Sequence, residues 1–226
     1  MDLRGRYERN TPAISVKEQE ILASKNVLVA GCGGLGGYVI EFLGRTGVGR
    51  MTAVDGDLFE ESNLNRQLLA VSDAMGRPKA QTARDRMAAI NPNVKLTAVN
   101  RYITAVNVNE IIDKHDVIVD ALDNGQTRLI LAAAAREARI PIVSGAIGGW
   151  YGRVLVLYPD DNADFLWKGD APPPAGNLCA TAAFVASVQA SETLKILLGR
   201  PNTLQGKMLD VNMLAATWEM IELEGS

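Results

Sequence analysis

Residues 26–38 read "NVLVAGCGGLGGY": an apolar, β-branched run, then Gly31, Gly33 and Gly36 in G-x-G-x-x-G spacing, then the apolar start of a further segment. A run of this kind suits a strand buried on both faces. The glycines suit a tight turn into a helix whose free N–H groups and positive dipole end can meet a phosphate. The three-glycine spacing by itself is a weak signal, and a tight turn with close helix packing would also use it. Its place between a strand and a helix makes it a nucleotide-site candidate.

Working outward, short apolar runs recur: "RMTAVD", "NVKLTAV", "DVIVDAL" and "IPIVSG". Segments with helical spacing separate them. One, after "GRPK", puts Ala80, Ala83, Met87 and Ile90 on a common face, and another, "QTRLILAAAAREA", is rich in good helix formers. Strand and helix in alternation predict an α/β fold, a Rossmann-like, mostly parallel sheet flanked by helices. Beyond Gly149, "GRVLVLYP", "KMLDV" and "TWEMIEL" read as strands without intervening helices, a C-terminal antiparallel extension. A long helix over about 181–198 interrupts them and stops at Gly199. The expected organisation is a single domain over 1–226, with a helical arm at about 1–25, a nucleotide-binding core at about 26–149, and a crossover loop and extension at about 150–226. Residues 160–177, "DDNADFLWKGDAPPPAGN", lack periodicity and read as a long loop, either functional or simply exposed.

Composition narrows the partners. The chain has 226 residues, 47% of them hydrophobic, enough for a sizeable core. Its net charge of −3, from 23 basic and 26 acidic residues without a basic block, argues against nucleic acid. Two cysteines, Cys32 and Cys179, fit a reducing cytoplasm and exclude a zinc site made of cysteines alone. The opening "MDLRGRYERN" lacks the apolar stretch of a secretory leader, and Gln189, Glu192 and Lys195 interrupt the longest apolar run, so no membrane span is expected.

Three groups of polar residues follow strands, where open α/β sheets take their ligands. Asp55, 19 residues after Gly36, occupies the position of a ribose-binding acid, although an Asp-Gly turn would also account for it, and Asp57 can be read as part of that turn alone. Asn63, Arg66 and Gln67 come next, and then Gly76-Arg77-Pro78-Lys79 opens a helix. Pro78 suits a first helical turn, but cations there oppose the helix dipole. Arg77 and Lys79 are therefore either solvated surface cations or residues that call for a negative partner, which a triphosphate would supply. Finally, "LDNGQTR" sets Asp123 and Asn124 beyond another strand, where Asp123 can hold Mg²⁺ through oxygen or either residue can cap the helix. Asp120, within the strand, reads as structural.

The combination of "RYERN", "GCGGLGG", "VDGD", "SNLNRQ", "GRPKA", "INPNV" and "LDNGQTR", in that order, resembles the adenylating enzymes of the MoeB/ThiF/HesA superfamily, relatives of the ubiquitin-activating enzymes. The resemblance runs from about Arg6 to Leu223. It implies an adenylyltransferase that joins AMP to the C-terminal glycine of a ubiquitin-like sulfur carrier ending in Gly-Gly, with ATP and Mg²⁺, as a homodimer. By motif it sets Gly31, Gly33, Gly34, Asp55, Ser62, Asn63, Arg66, Gln67, Lys79, Asp123 and Asn124 around the nucleotide, with Asp123 on Mg²⁺. It makes Arg9 a residue that reaches the partner subunit's nucleotide, although the family more often has Gln where Asn10 stands. Arg9, Arg66, Lys79 and Asp123 are thus the expected catalytic set.

Two departures qualify it. Many relatives hold a structural zinc with two CxxC pairs, and this chain has "DFLW", residues 164–167, at the first, so no zinc is expected. Cys179, in "GNLCATAAF", matches a cysteine that links covalently to the carrier in some relatives and is dispensable in others; the residue pattern favours a buried, inert thiol.

The reaction needs no general base, since a terminal carboxyl, with a reference pKa of about 3.3–3.7, is already ionised near neutrality. That suits a chain whose one histidine, His115, reads as a surface residue before a strand. Three rival readings remain: an NAD-dependent oxidoreductase, a non-catalytic partner in a heterodimeric activator, and an enzyme that adenylates a carboxylate on modified tRNA. The pathway, whether molybdopterin, thiazole or cysteine, is not legible.

Overall fold

The computed structural model describes residues 5–161, 167, 176–201 and 203–223. The runs expected to be strands are strands: β1 Asn26–Ala30, β2 Arg50–Val54, β3 Lys95–Val99, β4 Val117–Asp120, β5 Ile142–Gly148, β6 Tyr151–Leu157, β7 Lys207–Asn212 and β8 Thr217–Glu222. The helices are α1 Val16–Ser24, α2 Gly36–Thr46, α3 Lys79–Ile90, α4 Val108–Ile112, α5 Gly125–Glu137 and α6 Cys179–Leu197. All eight strands form one sheet in the order β3-β2-β1-β4-β5-β6-β7-β8. Pairing is parallel from β3 to β5 and antiparallel from β5 to β8, as the change of pattern beyond Gly149 foretells.

Side-chain alternation along β1 builds two cores. Val27 and Val29 face one cluster with Val117 and Val119 of β4, and α2, α3 and α6 cover it through Ile40, Leu43, Ala83, Met87, Val185 and Ala186. Leu28 and Ala30 face the other with Ile118, covered by Ile111 and Ile112 of α4 and Leu131 and Ala135 of α5. Helices on both faces are the reason the central strands are apolar throughout rather than alternating. Ala80, Ala83 and Met87 of α3 are fully buried, whereas Ile90 lies at the margin. The short helix α4 was not visible in the sequence, because five residues carry too little periodicity.

Chain order fixes where a ligand can enter. The chain winds outward from β1 through β2 to β3, then returns to the other side of β1 as β4. Adjacent loops at the carboxyl ends of β1 and β4 therefore diverge and leave a crevice. Gly31 shapes its floor: its φ is +94°, and a side chain there would collide with the Ala121 carbonyl at 2.7 Å. Gly36 must also lack a side chain, since a Cβ would stand 1.8 Å from the Gly31 carbonyl.

Elsewhere the chain is closed by local devices. Ser15 and Glu18 make a capping box at α1, and Arg200, beyond α6, bonds Glu18 at 2.7 Å, which ties the arm to the C-terminal half. The helix expected to begin at Thr181 begins at Cys179 and ends before Gly199, which takes φ +62°. Most of the predicted loop 160–177, including "DFLW" other than Trp167, lies outside the described residues.

Candidate functional site

A cavity of about 820 Å³ opens at the carboxyl edge of β1, β2 and β4. Gly31, Gly33, Gly34, Asp55, Arg66, Gln67, Lys79, Asp123 and Asn124 all line it. Asp55, half-buried at the end of β2, closes the glycine loop: one carboxylate oxygen accepts from the Cys32 N–H at 2.7 Å and the other from the Asp57 N–H at 2.8 Å. Burial pushes its pKa up, and these two N–H groups oppose the rise. Each oxygen keeps a free lone pair, so a ligand hydroxyl can still donate to it.

Arg66 and Lys79 sit in different surroundings. Lys79, at the start of α3, is 6% exposed, and its ammonium donates to Asp57 at 2.9 Å. Arg66 donates to the Ser62 carbonyl at 3.1 Å and the Asn65 side chain at 3.0 Å and has no carboxylate partner among the described residues. The other cations at the cavity wall are matched: Arg101 to Glu110 at 3.0 Å, Arg128 to Asp120 at 3.4 Å, Arg153 to Asp210 at 2.8 Å. Asp123 mirrors Arg66. It is exposed at the cavity and makes no side-chain hydrogen bond or ion pair among the described residues. Two neutral groups are also incomplete: Gln67 Oε1 and Asn177 Oδ1, buried at the wall, have no hydrogen-bond partner among the described residues. Buried acceptors of this kind are costly unless a donor arrives.

Several expectations need correction. The negative partner sought for "GRPK" is already in the chain, because Arg77 turns away from the cavity to Asp85 at 2.6 Å and Lys79 meets Asp57. Asp57 is therefore more than a turn residue. Ser62 and Asn63 do not line the cavity; Asn63 is buried and accepts from the Glu60 N–H at 3.2 Å, shaping the turn that presents Arg66. Arg9, expected to act on the partner subunit's nucleotide, needs no correction: it is exposed in a short 3-10 turn, Glu8–Asn10, and is absent from its own chain's cavity wall. Asn124 lines the wall and also caps α5, accepting from the Thr127 N–H at 3.0 Å. Cys179 is exposed rather than buried: it is the first residue of α6, with its sulfur 2.8 Å from the Tyr38 hydroxyl. Burial, and then this contact, push the Tyr38 hydroxyl up to about 12. His115 is half-buried, not a surface residue, with its ring between the Ile112 carbonyl at 3.0 Å and the Thr52 hydroxyl at 2.8 Å. Asp120 is structural as expected, buried and accepting from Ser144 at 2.6 Å.

The sequence reading passed over Tyr102 and Arg128. Tyr102 lies just past β3, so the carboxyl-edge rule that picked out Asp55 and Asp123 would have found it too. Arg128 gave no signal. Buried within α5, it donates to the carbonyls of Leu122 and Gly145, bracing the loop that carries Asp123 between β4 and β5. Among the described residues no cluster of three or more His, Cys, Asp or Glu could hold a metal alone, and no helix is long and apolar enough to cross a membrane.

Comparison with known proteins gives the family. The chain is 37% identical over 96% of its length, and 86% of the relative's, to the sulfur carrier protein adenylyltransferase of Thermus thermophilus. It is 35% identical to the SAMP-activating enzyme E1 of Haloferax volcanii, over 96% of this chain and 84% of that one. It is 32% identical to the molybdopterin-synthase adenylyltransferase of Escherichia coli, over 91% and 86%. In fold it matches a crystal structure of E. coli MccB with MccA, with a TM-score of 0.84 at 18% identity, covering 99% of this chain and 72% of that one. E. coli tRNA N6-threonylcarbamoyladenosine dehydratase in complex with ATP matches with a TM-score of 0.75 at 24% identity, over 86% and 94%. The ThiF family profile covers residues 7–226, and with relatives this similar over nearly their whole length the chain belongs to the ThiF family, that of the adenylyltransferases named here.

Proposed function

We propose that the chain uses ATP to adenylate the C-terminal glycine carboxylate of a ubiquitin-like sulfur carrier protein ending in Gly-Gly. A carboxylate oxygen attacks the α-phosphorus, the bond to the bridging oxygen breaks, and pyrophosphate leaves; no proton moves. One observation carries the reading: Arg66 and Asp123, opposite in charge and neither in an ion pair among the described residues, face a single cavity at the switch point of the sheet. A ligand with phosphates for the one and a divalent cation for the other would satisfy both.

The residues present fit that ligand. Asp55 can take ribose hydroxyls, and the glycine loop has room beside it, since a Cβ on Gly33 would meet nothing nearer than Gln67 at 3.7 Å. Gln67 Oε1 and Asn177 Oδ1 can accept from the substrate. Asp123 would hold Mg²⁺, which needs only one or two protein carboxylates when phosphates supply further oxygens. When bound, the ion would offset charge on the phosphates as pyrophosphate departs. Arg66 and Lys79 supply fixed positive charge at the same cavity, positioning and electrostatics being the main levers in phosphoryl chemistry.

The test is ATP–pyrophosphate exchange with a purified Gly-Gly carrier. We expect exchange that requires the carrier and disappears when its last glycine is removed. Carrier-independent thermal stabilisation by NAD, with no exchange for any such carrier, would refute the proposal. Arg9 belongs to the proposal as a contribution across a homodimer. Mixing Arg9→Ala with Lys79→Ala protein should then restore part of the activity, and no recovery despite demonstrated subunit exchange would remove Arg9 from the site.

A further inference from the structure

Lys79 is buried, yet its stem has four carbons and its ammonium can point in many directions, so something must choose one. The Asp57 carboxylate is shared out between two donors. One oxygen accepts from Lys79 at 2.9 Å, and the other accepts from the Tyr102 hydroxyl at 2.7 Å. The main chain adds a second tie, from the Lys79 N–H to the Asp57 carbonyl at 3.0 Å. All three residues line the cavity.

Tyr102 is 65% exposed, an unusual place for a large ring, and its position is nonetheless defined. The ring lies against Gly56, between the two acids: a Cβ there would stand 2.6–2.7 Å from three ring carbons. Behind it, Asn107 donates to the Tyr102 carbonyl at 2.9 Å, which fixes the segment that carries the ring. An exposed tyrosine so placed must serve something other than core packing.

We infer that Tyr102 is a positioning residue for Lys79, acting through Asp57: by occupying one carboxylate oxygen it aims the other at the ammonium and leaves the remaining ammonium hydrogens for the substrate. The hydroxyl's hydrogen bond is the largest influence holding Asp57 below the usual carboxylate range, ahead of the opposing burial, so Asp57 stays charged beside Lys79. The kinetic part of this inference rests on the proposed adenylation; the structural part does not.

Two measurements test it. In the first, kcat and the KM for ATP are determined for Tyr102→Phe, Lys79→Ala and the double variant. Removing one hydroxyl bonded to a charged group should lower kcat by about tenfold, with the KM for ATP changed less than about twofold. The double variant should be no slower than Lys79→Ala alone, because a residue that acts only through another has no separate effect once that one is gone. Additive losses, or an unchanged kcat, would overturn the inference. In the second, nucleotide-free protein is labelled with limiting acetic anhydride and Lys79 is followed by mass spectrometry. Tyr102→Phe should raise its labelling several-fold, and Gly56→Ala, which displaces the ring, should do the same. Unchanged labelling in Tyr102→Phe would equally overturn it. If wild-type protein makes no adenylate, the proposed function fails while the labelling still decides the positioning.

Discussion

At the amino edge of the parallel sheet, Asp116, just before β4, accepts from the Lys25 ammonium at 3.0 Å and the Asn26 N–H at 2.7 Å. Arg50, opening β2, donates to the Ser24 carbonyl at 2.7 Å, and His115 is held on both ring nitrogens. At the carboxyl edge of the same strands, Arg66 and Asp123 face a cavity and form no ion pair among the described residues, and two buried amide oxygens find no hydrogen-bond donor among those residues. Both edges interrupt the same hydrophobic layers and carry similar residues. Where polar groups complete one another, the edge holds the fold together; where they do not, their partners are expected to come from a ligand. Lys79 stands between these cases, since Asp57 satisfies part of its bonding and the cavity receives the rest.

The contrast breaks if carboxyl-edge changes fail to separate activity from stability. Arg66→Ala should slow carrier-dependent adenylation by roughly 10²-fold or more, the cost of losing one transition-state donor, while the thermal midpoint of the nucleotide-free protein stays put. Lys79→Ala should lose activity on the same scale, roughly 10²-fold, and in addition lower the midpoint, because Asp57 then loses its ion pair. Exchange assays and thermal unfolding on the same samples would show it. Wild-type rates in both variants would remove these cations from the chemistry.

Asp123 sharpens the comparison through ligand linkage. A ligand at a hundredfold excess over its Kd stabilises the fold by about 2.7 kcal/mol. MgATP should therefore raise the midpoint of the wild-type protein more than ATP alone. In Asp123→Asn that increment should shrink toward zero, with little change in the nucleotide-free midpoint. An undiminished increment would move the ion elsewhere.

The sequence made the layers legible and the pairings illegible, and the reason is distance along the chain. Runs such as Val27–Ala30 and Val117–Val119 show their burial locally, because residues covered on both faces must be apolar in succession. The glycine turn was legible on the same terms. Whether a charge is matched is another kind of fact. Asp57 and Lys79 are 22 residues apart, and Asp57 and Tyr102 are 45 apart. Arg66 and Arg77 looked alike as donors for phosphate, and only the path of α3, which brings Asp85 beside Arg77, tells them apart. The exposure of Cys179 was hidden likewise, since an apolar neighbourhood in sequence says little about the first residue of a helix.

At the amino edge, changes should cost stability and spare catalysis. Asp116→Ala removes a carboxylate that accepts from the Asn26 main chain, and should cost about 1–2 kcal/mol, a drop of a few degrees in the midpoint. The half-buried Lys25 pair, still open to solvent, adds little to that figure. Exchange activity at a temperature where both proteins are folded should be unchanged, and a large loss there would blur the distinction between the edges.

His115 offers the smallest and most selective test, because it titrates. Burial pulls its pKa below 6.5, against the raising influence of the Ile112 carbonyl and nearby acids. The unfolded chain therefore takes up its proton first as the pH falls. The stability this histidine supports is fully present above about pH 6.5 and is lost as the pH drops through the folded value. Its neutral form fits the site: Nδ1–H donates to the Ile112 carbonyl, which leaves Nε2 to accept from the Thr52 hydroxyl. His115→Gln, which cannot take up a proton, should show a flatter dependence of the urea midpoint between pH 8 and pH 5 than the wild type. It should also leave the exchange rate at pH 8 unaltered, since His115 is not part of the cavity wall. Identical pH slopes in the two proteins would mean that the ring is solvated as well in the folded state as in the unfolded one. An altered rate at pH 8 would mean that the amino edge communicates with the cavity through β2.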